Sequence, residues 1–353
     1  MPKNLPKTDV VIVGMGAAGG VAALPLTNAG LKVIGIEAGG WLSPRDFAPD
    51  ELRNGARNWP QSAQKAANEA PTVRSSSDQK AMQGGHPMMN AVGGTSMHYW
   101  AQSWRLNPWD FKVVSATRGR YGANRIPVDS TVEDWPFGYE ELEPYYEKVE
   151  LAVGISGQAG NVKGKINSEG NIFEGERQNE YPMRPLRSSP FTDQMNEAAR
   201  RLDWNSFQGP AAITSELYDG RPPCQYHGFC NRGGCHVQAK SSTAFTTIPK
   251  AIDSGNLDVV TYARVTNIVT DNEGKVTGVD YIRGNEEFFQ PADVILMASY
   301  AYENVRLLQL SKSRVFPDGL SNNSGQVGKH YLSHHQGSPV IALFPHDLHN
   351  WYG

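Results

Sequence analysis

Residues 9–37 open with Asp9-Val-Val-Ile-Val-Gly14-Met-Gly16-Ala-Ala-Gly19-Gly20 and close with Lys32-Val-Ile-Gly-Ile-Glu37. A short apolar run that ends on a glycine reads as a buried strand, and the alanine-rich stretch after it reads as a helix. The order is strand, GxGxxG turn, helix, strand, acid. Each glycine has its own part to play. Gly14 allows the tight turn, Gly16 lets backbone approach a pyrophosphate, and Gly19 lets helix and strand pack closely. The helix N-terminus then presents free N–H groups and the positive end of its dipole to phosphate. Glu37, at the end of the second strand, is placed to accept hydrogen bonds from ribose hydroxyls. A lone GxGxxG is weak, but strand, helix and acid agree with it here, so the unit is read as a dinucleotide site. An acid at this position suits NAD and FAD equally. Pro25 falls inside the predicted helix and is expected to kink it.

Working outward, 353 residues allow roughly two domains. Hydrophobic residues make up 39% and charged residues 20%, an ordinary composition for a globular chain. The net charge of −3 gives no reason to expect nucleic acid or an anionic membrane as a partner. Abundant glycine (36) and proline (23) point to many loops. No apolar run approaches the ~20 residues of a membrane helix, and no apolar signal stretch precedes Asp9. On its own the sequence therefore reads as cytoplasmic, or as exported only with a partner's help. The three cysteines, Cys224, Cys230 and Cys235, sit in one short segment, a poor disulfide framework and a better ligand set. Thiolates this close suit an iron–sulfur cluster or zinc, with His227 or His236 as a fourth zinc ligand; unconnected thiols are the plain alternative.

Between residues 41 and 90 the chain is polar and loop-rich, with a short helical stretch expected at Ser62–Ala70. Tyr139–Val153 reads as a helix restarted at Pro144, and Ser189-Pro190 as the capped start of a helix reaching about Leu202. From Leu257 the pattern turns to β runs at Val259–Tyr262, Val265–Thr270, Val276–Ile282 and Phe288–Met297, followed by a helix over Ala301–Leu310. One α/β domain is expected from the chain's start and last third, interrupted by a largely irregular insert. A second fingerprint of comparable quality is absent, which argues against paired Rossmann domains binding two cofactors.

Further segments resemble the glucose–methanol–choline (GMC) oxidoreductase family. They are Glu37-Ala-Gly-Gly40, Ala91-Val-Gly-Gly94-Thr-Ser-Met-His98-Tyr-Trp100, Leu257–Val265, Asp293–Leu308 and Ser324–His334. Within the family the likeness is greatest to the flavin subunit of membrane-associated gluconate, sorbitol and sugar dehydrogenases, on Pro108–Phe111, Asp134-Trp-Pro136, Glu143-Pro-Tyr-Tyr146 and the cysteine segment leading to Ala239-Lys-Ser-Ser-Thr243. The resemblance implies an α/β fold, with a Rossmann-like FAD-binding domain, an irregular insert and part of a substrate domain. It places the FAD-binding domain at 1–130 and 220–333, the insert at 134–215 and the start of a truncated substrate domain at 334–353.

It also implies FAD held by Gly14, Gly16, Gly19 and Glu37. Gly93, Gly94, Thr95 and Ser96 would form the flavin loop, and the backbone at Val265 would lie against adenine. His98 matches a position that in relatives is bonded covalently to the flavin or touches its ring. Cys224, Cys230 and Cys235 would hold a 3Fe-4S cluster that passes electrons to a cytochrome or quinone. The resemblance implies oxidation of a CH–OH group in a sugar, polyol or sugar acid, with a small export or chaperone subunit and a cytochrome c subunit as partners. That complex would sit on the periplasmic face of the bacterial inner membrane, reaching the membrane only through those partners. The family's catalytic His with its second His or Asn is expected beyond Gly353, so the chain reads as truncated. His330, His334 and His335 are read as structural. Ser299 stands where a small glycine is usual and is expected to crowd the flavin, and His227 stands where a further cysteine is often found. An oxygen-reducing alcohol oxidase and an inactive flavin-binding fragment are the alternatives.

Overall fold

A computed structural model describes residues 2–47, 50, 72–73, 82–83, 89–228, 230, 233–331, 341 and 343–347. The chain divides into two compact units. The first comprises Met1–Tyr99, Phe229–His236 and Ser242–Ser333; the second comprises Trp100–Gly228, Val237–Ser241 and His334–Gly353. The helix expected at Ser62–Ala70 lies outside the described residues.

The first unit contains strand β1 (Thr8–Val13), helix α1 (Ala17–Asn28), strand β2 (Val33–Ile36) and helix α2 (Thr247–Asp253). Strands β3 (Leu257–Val260), β4 (Ala263–Thr270), β5 (Val276–Arg283) and β6 (Glu286–Met297) follow, and then helix α3 (Ala301–Leu310). They build one sheet in the order β3-β2-β1-β6-β5-β4. The β3, β2, β1 and β6 strands run parallel, in register Val10 with Val33 and Val294, and Val33 with Leu257. A parallel strand in mid-sheet is covered on both faces, which is why β1 is a continuous apolar run rather than an alternating one. Val10 and Ile12 face a core with Ala23, Val92, Ile248 and Ala251, and Val11 and Val13 face a core with Ile36, Val265, Ile268 and Leu307. Burying each such Val, Ile or Leu contributes about 1.5–3 kcal/mol.

Strand β6 changes neighbours along its length. Glu286–Pro291 pairs antiparallel with β5, and Ala292–Met297 pairs parallel with β1. Pro291 sits at the hand-over, where its missing N–H costs the ladder least. The strand begins two residues before the Phe288 start expected from sequence. The neighbouring runs also differ at their ends: Val259–Tyr262 is β3 at Leu257–Val260, and Tyr262 is a left-handed residue with φ +54° between β3 and β4.

Helix α1 runs through Pro25 to Asn28. The proline lies in its last turn, where the Pro25 carbonyl accepts from Ala29 N–H at 3.1 Å. The Thr27 hydroxyl donates back to the Ala23 carbonyl at 3.0 Å.

In the second unit, helices span Val113–Tyr121, Tyr139–Val153 and Pro190–Arg201. Tyr139–Val153 is one helix rather than a helix restarted at Pro144. Ser189 caps the last of the three, its Oγ accepting from Thr192 N–H at 3.2 Å. A buried ionic network ties the middle helix down. The Arg105 guanidinium donates to both oxygens of Glu150, at 2.7 and 2.8 Å, and to Glu143 at 3.1 Å, while Arg177 donates to Glu150 at 2.6 Å. Burial by itself lowers the Arg105 pKa, but the Glu150 hydrogen bonds and charge more than reverse this and hold the guanidinium charged. Arg177 also lies over the Tyr181 ring, 3.8 Å from its centroid.

Candidate cofactor site

Strand β1 ends at Val13, and the chain must reverse at once to start α1. Gly14 takes φ +93°, a conformation side chains resist, and a Cβ there would stand 2.7 Å from the Ala298 carbonyl oxygen at the end of β6. Its N–H donates to Ile36 O at 2.8 Å, and Ala298 N–H donates to Val13 O at 2.8 Å, so both neighbouring strands fix the turn. Gly16 is the N-cap of α1 and supplies no side-chain cap. The first-turn N–H groups of such a helix have no intrahelical acceptor, which is the arrangement that suits phosphate. A Cβ at Gly19 would overlap the Gly14 carbonyl oxygen and come within 2.9 Å of Ile12 Cγ2. The close helix-to-strand packing expected of the third glycine is therefore present.

The loop Gly93–Ser96 stands against this turn. Gly93 N–H donates to Met15 O at 2.7 Å, and Gly94 N–H donates to Ala91 O at 2.7 Å. Gly94 has φ +55°, and a Cβ on it would lie 2.9 Å from Gly16 Cα. Two glycines thus meet backbone to backbone, where any side chain would fill the cradle. Thr95 and Ser96 belong to the short 3-10 helix Gly94–Met97, and Ser96 Oγ donates to Gly93 O at 2.5 Å. His98 ends this turn, its N–H donating to Thr95 O at 3.1 Å, and it is only 3% exposed.

Glu37 is buried and does more than the sequence suggests. Its Oε2 accepts from Met15 N–H and its Oε1 from Gly39 N–H, both at 2.9 Å. It therefore locks the glycine turn, and each oxygen keeps a lone pair for a ribose hydroxyl. Burial pushes the Glu37 pKa above the ordinary carboxylate range, and the backbone donors Gly39, Met15 and Ala38 oppose this. Folding accordingly favours the protonated form. That contribution is full below the unfolded carboxylate's pKa and is lost as pH rises through the raised folded value. Cofactor-free protein is expected to lose melting temperature as pH rises above the ordinary carboxylate range through this group, and Glu37→Gln is expected to flatten that loss. Parallel melting profiles of wild type and Glu37→Gln would contradict the assignment.

A strip of hydroxyls backs both loops, in a segment that the sequence marks only by family likeness. Thr243 Oγ1 donates to Gly16 O at 3.0 Å, and Thr247 Oγ1 to Gly20 O at 2.7 Å. Ser242 Oγ lies 2.8 Å from Ser96 Oγ and 3.0 Å from Met97 Sδ. Consecutive Ser and Thr residues before an apolar stretch are the one signal that could have found it.

The remaining predicted residues are distributed differently. Val265 points into the core, so only its backbone could contact a ligand; it lies on β4, the outermost strand of the sheet. Ser299 lies beside Gly14 through its Cα, and its N–H and Oγ are both bound to Asn304 Oδ1, at 3.0 and 2.7 Å. His330 is exposed and pairs with Gln326 Oε1 at 2.9 Å, while His334 and His335 lie outside the described residues.

Cys224 belongs to the second unit, and Cys230 and Cys235 to the first. All three are half-buried and none is in a disulfide. Among the described residues, no three His, Cys, Asp or Glu side chains are gathered closely enough to hold a metal ion. Among the described residues, no helix is long and apolar enough to cross a membrane.

The chain is similar to the gluconate 2-dehydrogenase flavoprotein of Pantoea cypripedii, at 29% identity over 97% of this chain and 58% of that protein. It is 31% identical to the 2-methyl-1,2-propanediol dehydrogenase of Mycolicibacterium austroafricanum, over 95% of this chain and 56% of that protein. It is 28% identical to the fructose dehydrogenase large subunit of Gluconobacter japonicus, over 95% of this chain and 60% of that protein. The chain thus spans somewhat more than half the length of these relatives. A family model described as GMC oxidoreductase matches residues 9–335, which takes in the glycine turn, the Gly93–Ser96 loop and the hydroxyl strip. The doubled glycine cradle and this match agree, and the chain belongs to the GMC oxidoreductase family.

Proposed function

We propose that this chain is the FAD-binding part of an oxidoreductase that oxidises a CH–OH group of a sugar, polyol or sugar acid. The observation that carries the proposal is the cradle itself: an uncapped α1 N-terminus facing the Gly94 backbone, with a buried carboxylate at the end of β2. Family membership supports FAD rather than NAD as the occupant. Gly14, Gly16 and Gly19 would hold the pyrophosphate, Glu37 the adenosine ribose, and the backbone at Val265 the adenine. Gly93, Gly94, Thr95 and Ser96 would bound the flavin side, with His98 as a contact or attachment point. Bound FAD supplies a two-electron acceptor for hydride leaving the carbinol carbon. The residues of the cradle bind and orient that acceptor and keep bulk water from its phosphates. The names of the relatives cover a sugar acid, a sugar and a diol, which supports the substrate class.

The finer part of the proposal is a 3Fe-4S cluster on Cys224, Cys230 and Cys235, with a cytochrome or quinone as acceptor and partner subunits that carry the chain to the periplasmic face of the inner membrane. It rests on the cysteine spacing and on the likeness to a protein named as a large subunit. Similarity to proteins named as oxidases supports a second reading, an oxidase that passes electrons to O₂. Iron analysis of the purified complex separates the two. The cluster reading predicts about three irons per flavin, with Cys230→Ser abolishing both the iron and electron delivery while anaerobic reduction of the flavin by gluconate, sorbitol or fructose survives. Iron-free protein that consumes O₂ with the same substrates would establish the oxidase. A flavin that none of these substrates reduces would overturn the substrate class.

A further inference from the structure

We infer that Thr243 and Ser242 are positioning residues for the cofactor cradle: they hold the two glycine loops in the one relative placement that admits a dinucleotide. This rests on the FAD reading and goes beyond it, because neither side chain is among the residues expected to touch the cofactor. Four hydroxyl residues stand close together here, Ser242, Thr243, Thr246 and Thr247, each no more than 3% exposed. Hydroxyls buried to this degree are costly unless they are used.

Their hydrogen bonds link both glycine loops to one segment. Ser96 Oγ gives its proton to Gly93 O at 2.5 Å, so toward Ser242 it can only accept. Ser242 Oγ in turn accepts from Ala244 N–H at 3.3 Å. The Ser242 hydroxyl proton is shared between Ser96 Oγ at 2.8 Å and Met97 Sδ at 3.0 Å, so the chain from Ala244 N–H through Ser242 reaches both Ser96, which holds the Gly93 carbonyl, and Met97 in the same turn. With Gly93 N–H already donated to Met15 O, the peptide groups on both sides of this left-handed glycine are fixed.

Thr243 acts on the other loop. The Gly16 carbonyl receives the first helical bond of α1, from Gly20 N–H at 2.9 Å, and the Thr243 hydroxyl as a second donor. Thr247 repeats the contact one turn on, at Gly20 O. The helix end whose N–H groups would face phosphate is thereby pinned to the segment that also pins Gly93. A Cβ at Gly20 would lie 2.5 Å from Thr243 Cβ, so the two backbones are drawn together as closely as a glycine allows.

The test compares Thr243→Val, which keeps the shape and deletes the hydroxyl, with Thr243→Ser, which keeps the hydroxyl, alongside Ser242→Ala. FAD dissociation constants are measured by flavin fluorescence on reconstitution of the full chain, with visible circular dichroism of the bound flavin and melting of the cofactor-free protein in parallel. Thr243→Val and Ser242→Ala are expected to weaken FAD binding by about tenfold each, equivalent to about 1.4 kcal/mol, and to alter the dichroism. Thr243→Ser is expected to restore wild-type values. Wild-type affinity and dichroism in Thr243→Val would overturn the positioning role while leaving the FAD reading intact. Equal losses in Thr243→Val and Thr243→Ser, matched by equal drops in cofactor-free melting, would show a packing role only. Failure of the wild type to bind FAD would instead overturn the underlying reading.

Discussion

Replacing Glu150 with alanine is expected to destabilise the second unit by about 3–5 kcal/mol, the range for removing one partner from a buried charge pair. Glu150 is the hub of the network there: it receives two bonds from Arg105 and one from Arg177, and all three side chains are buried. Without it, two guanidinium groups stay in the interior with Glu143 as the remaining carboxylate bound to Arg105. Arg177 is poorly placed to absorb the loss, because its Nη1 has no hydrogen-bond partner among the described residues. Glu150→Gln keeps the shape and part of the bonding and is expected to cost less than the alanine variant. Urea unfolding followed by tryptophan emission measures both. A loss below about 1 kcal/mol in Glu150→Ala, the level of an exposed pair, would show that the network is incidental to stability.

Gly19→Val is expected to remove FAD binding and to destabilise the first unit by about 1–3 kcal/mol or more, the cost of overfilling a packed site. The added Cβ alone would overlap the Gly14 carbonyl oxygen, a backbone atom that cannot rotate away, and would press on Ile12, which is fully buried. Relief requires α1 to lift from β1, and that moves the helix end away from any phosphate. Gly30→Val is the control: Gly30 takes φ +83°, but a Cβ there meets nothing within 4 Å, so backbone strain is the whole effect and FAD binding should survive. Equal flavin content in Gly19→Val and wild type would remove α1 from the binding site.

The parts of the fold legible in the sequence are those whose signal is local. Strand β1, the glycine turn and α1 are readable because burial on both faces leaves an unbroken apolar run, and because a left-handed turn demands Gly14. The β4–β5–β6 meander is readable from short β runs broken by Asn272-Glu-Gly274. The hand-over of β6 at Pro291 is not, since it depends on which strands happen to lie beside it. Glu37 is found at the right position but with half its work missing, because its bonds to Met15 and Gly39 arise only when the turn closes. The hydroxyl strip and the Arg105–Glu150–Arg177 network join residues far apart in the chain, with no periodicity to announce them. Pro144 misleads: it predicts a restart and is accommodated within one helix, Tyr139–Val153.

The central claim is that the cradle formed by Gly14, Gly16, Gly94 and Glu37 holds FAD. The most direct measurement is the visible spectrum and extracted nucleotide content of the purified protein, taken for wild type and for Glu37→Ala. The expected result is about one FAD per chain with the two flavin absorption bands in the wild type, and substantially less retained by Glu37→Ala after gel filtration. Wild-type protein that carries NAD and no flavin, or that fails to take up added FAD, would contradict it.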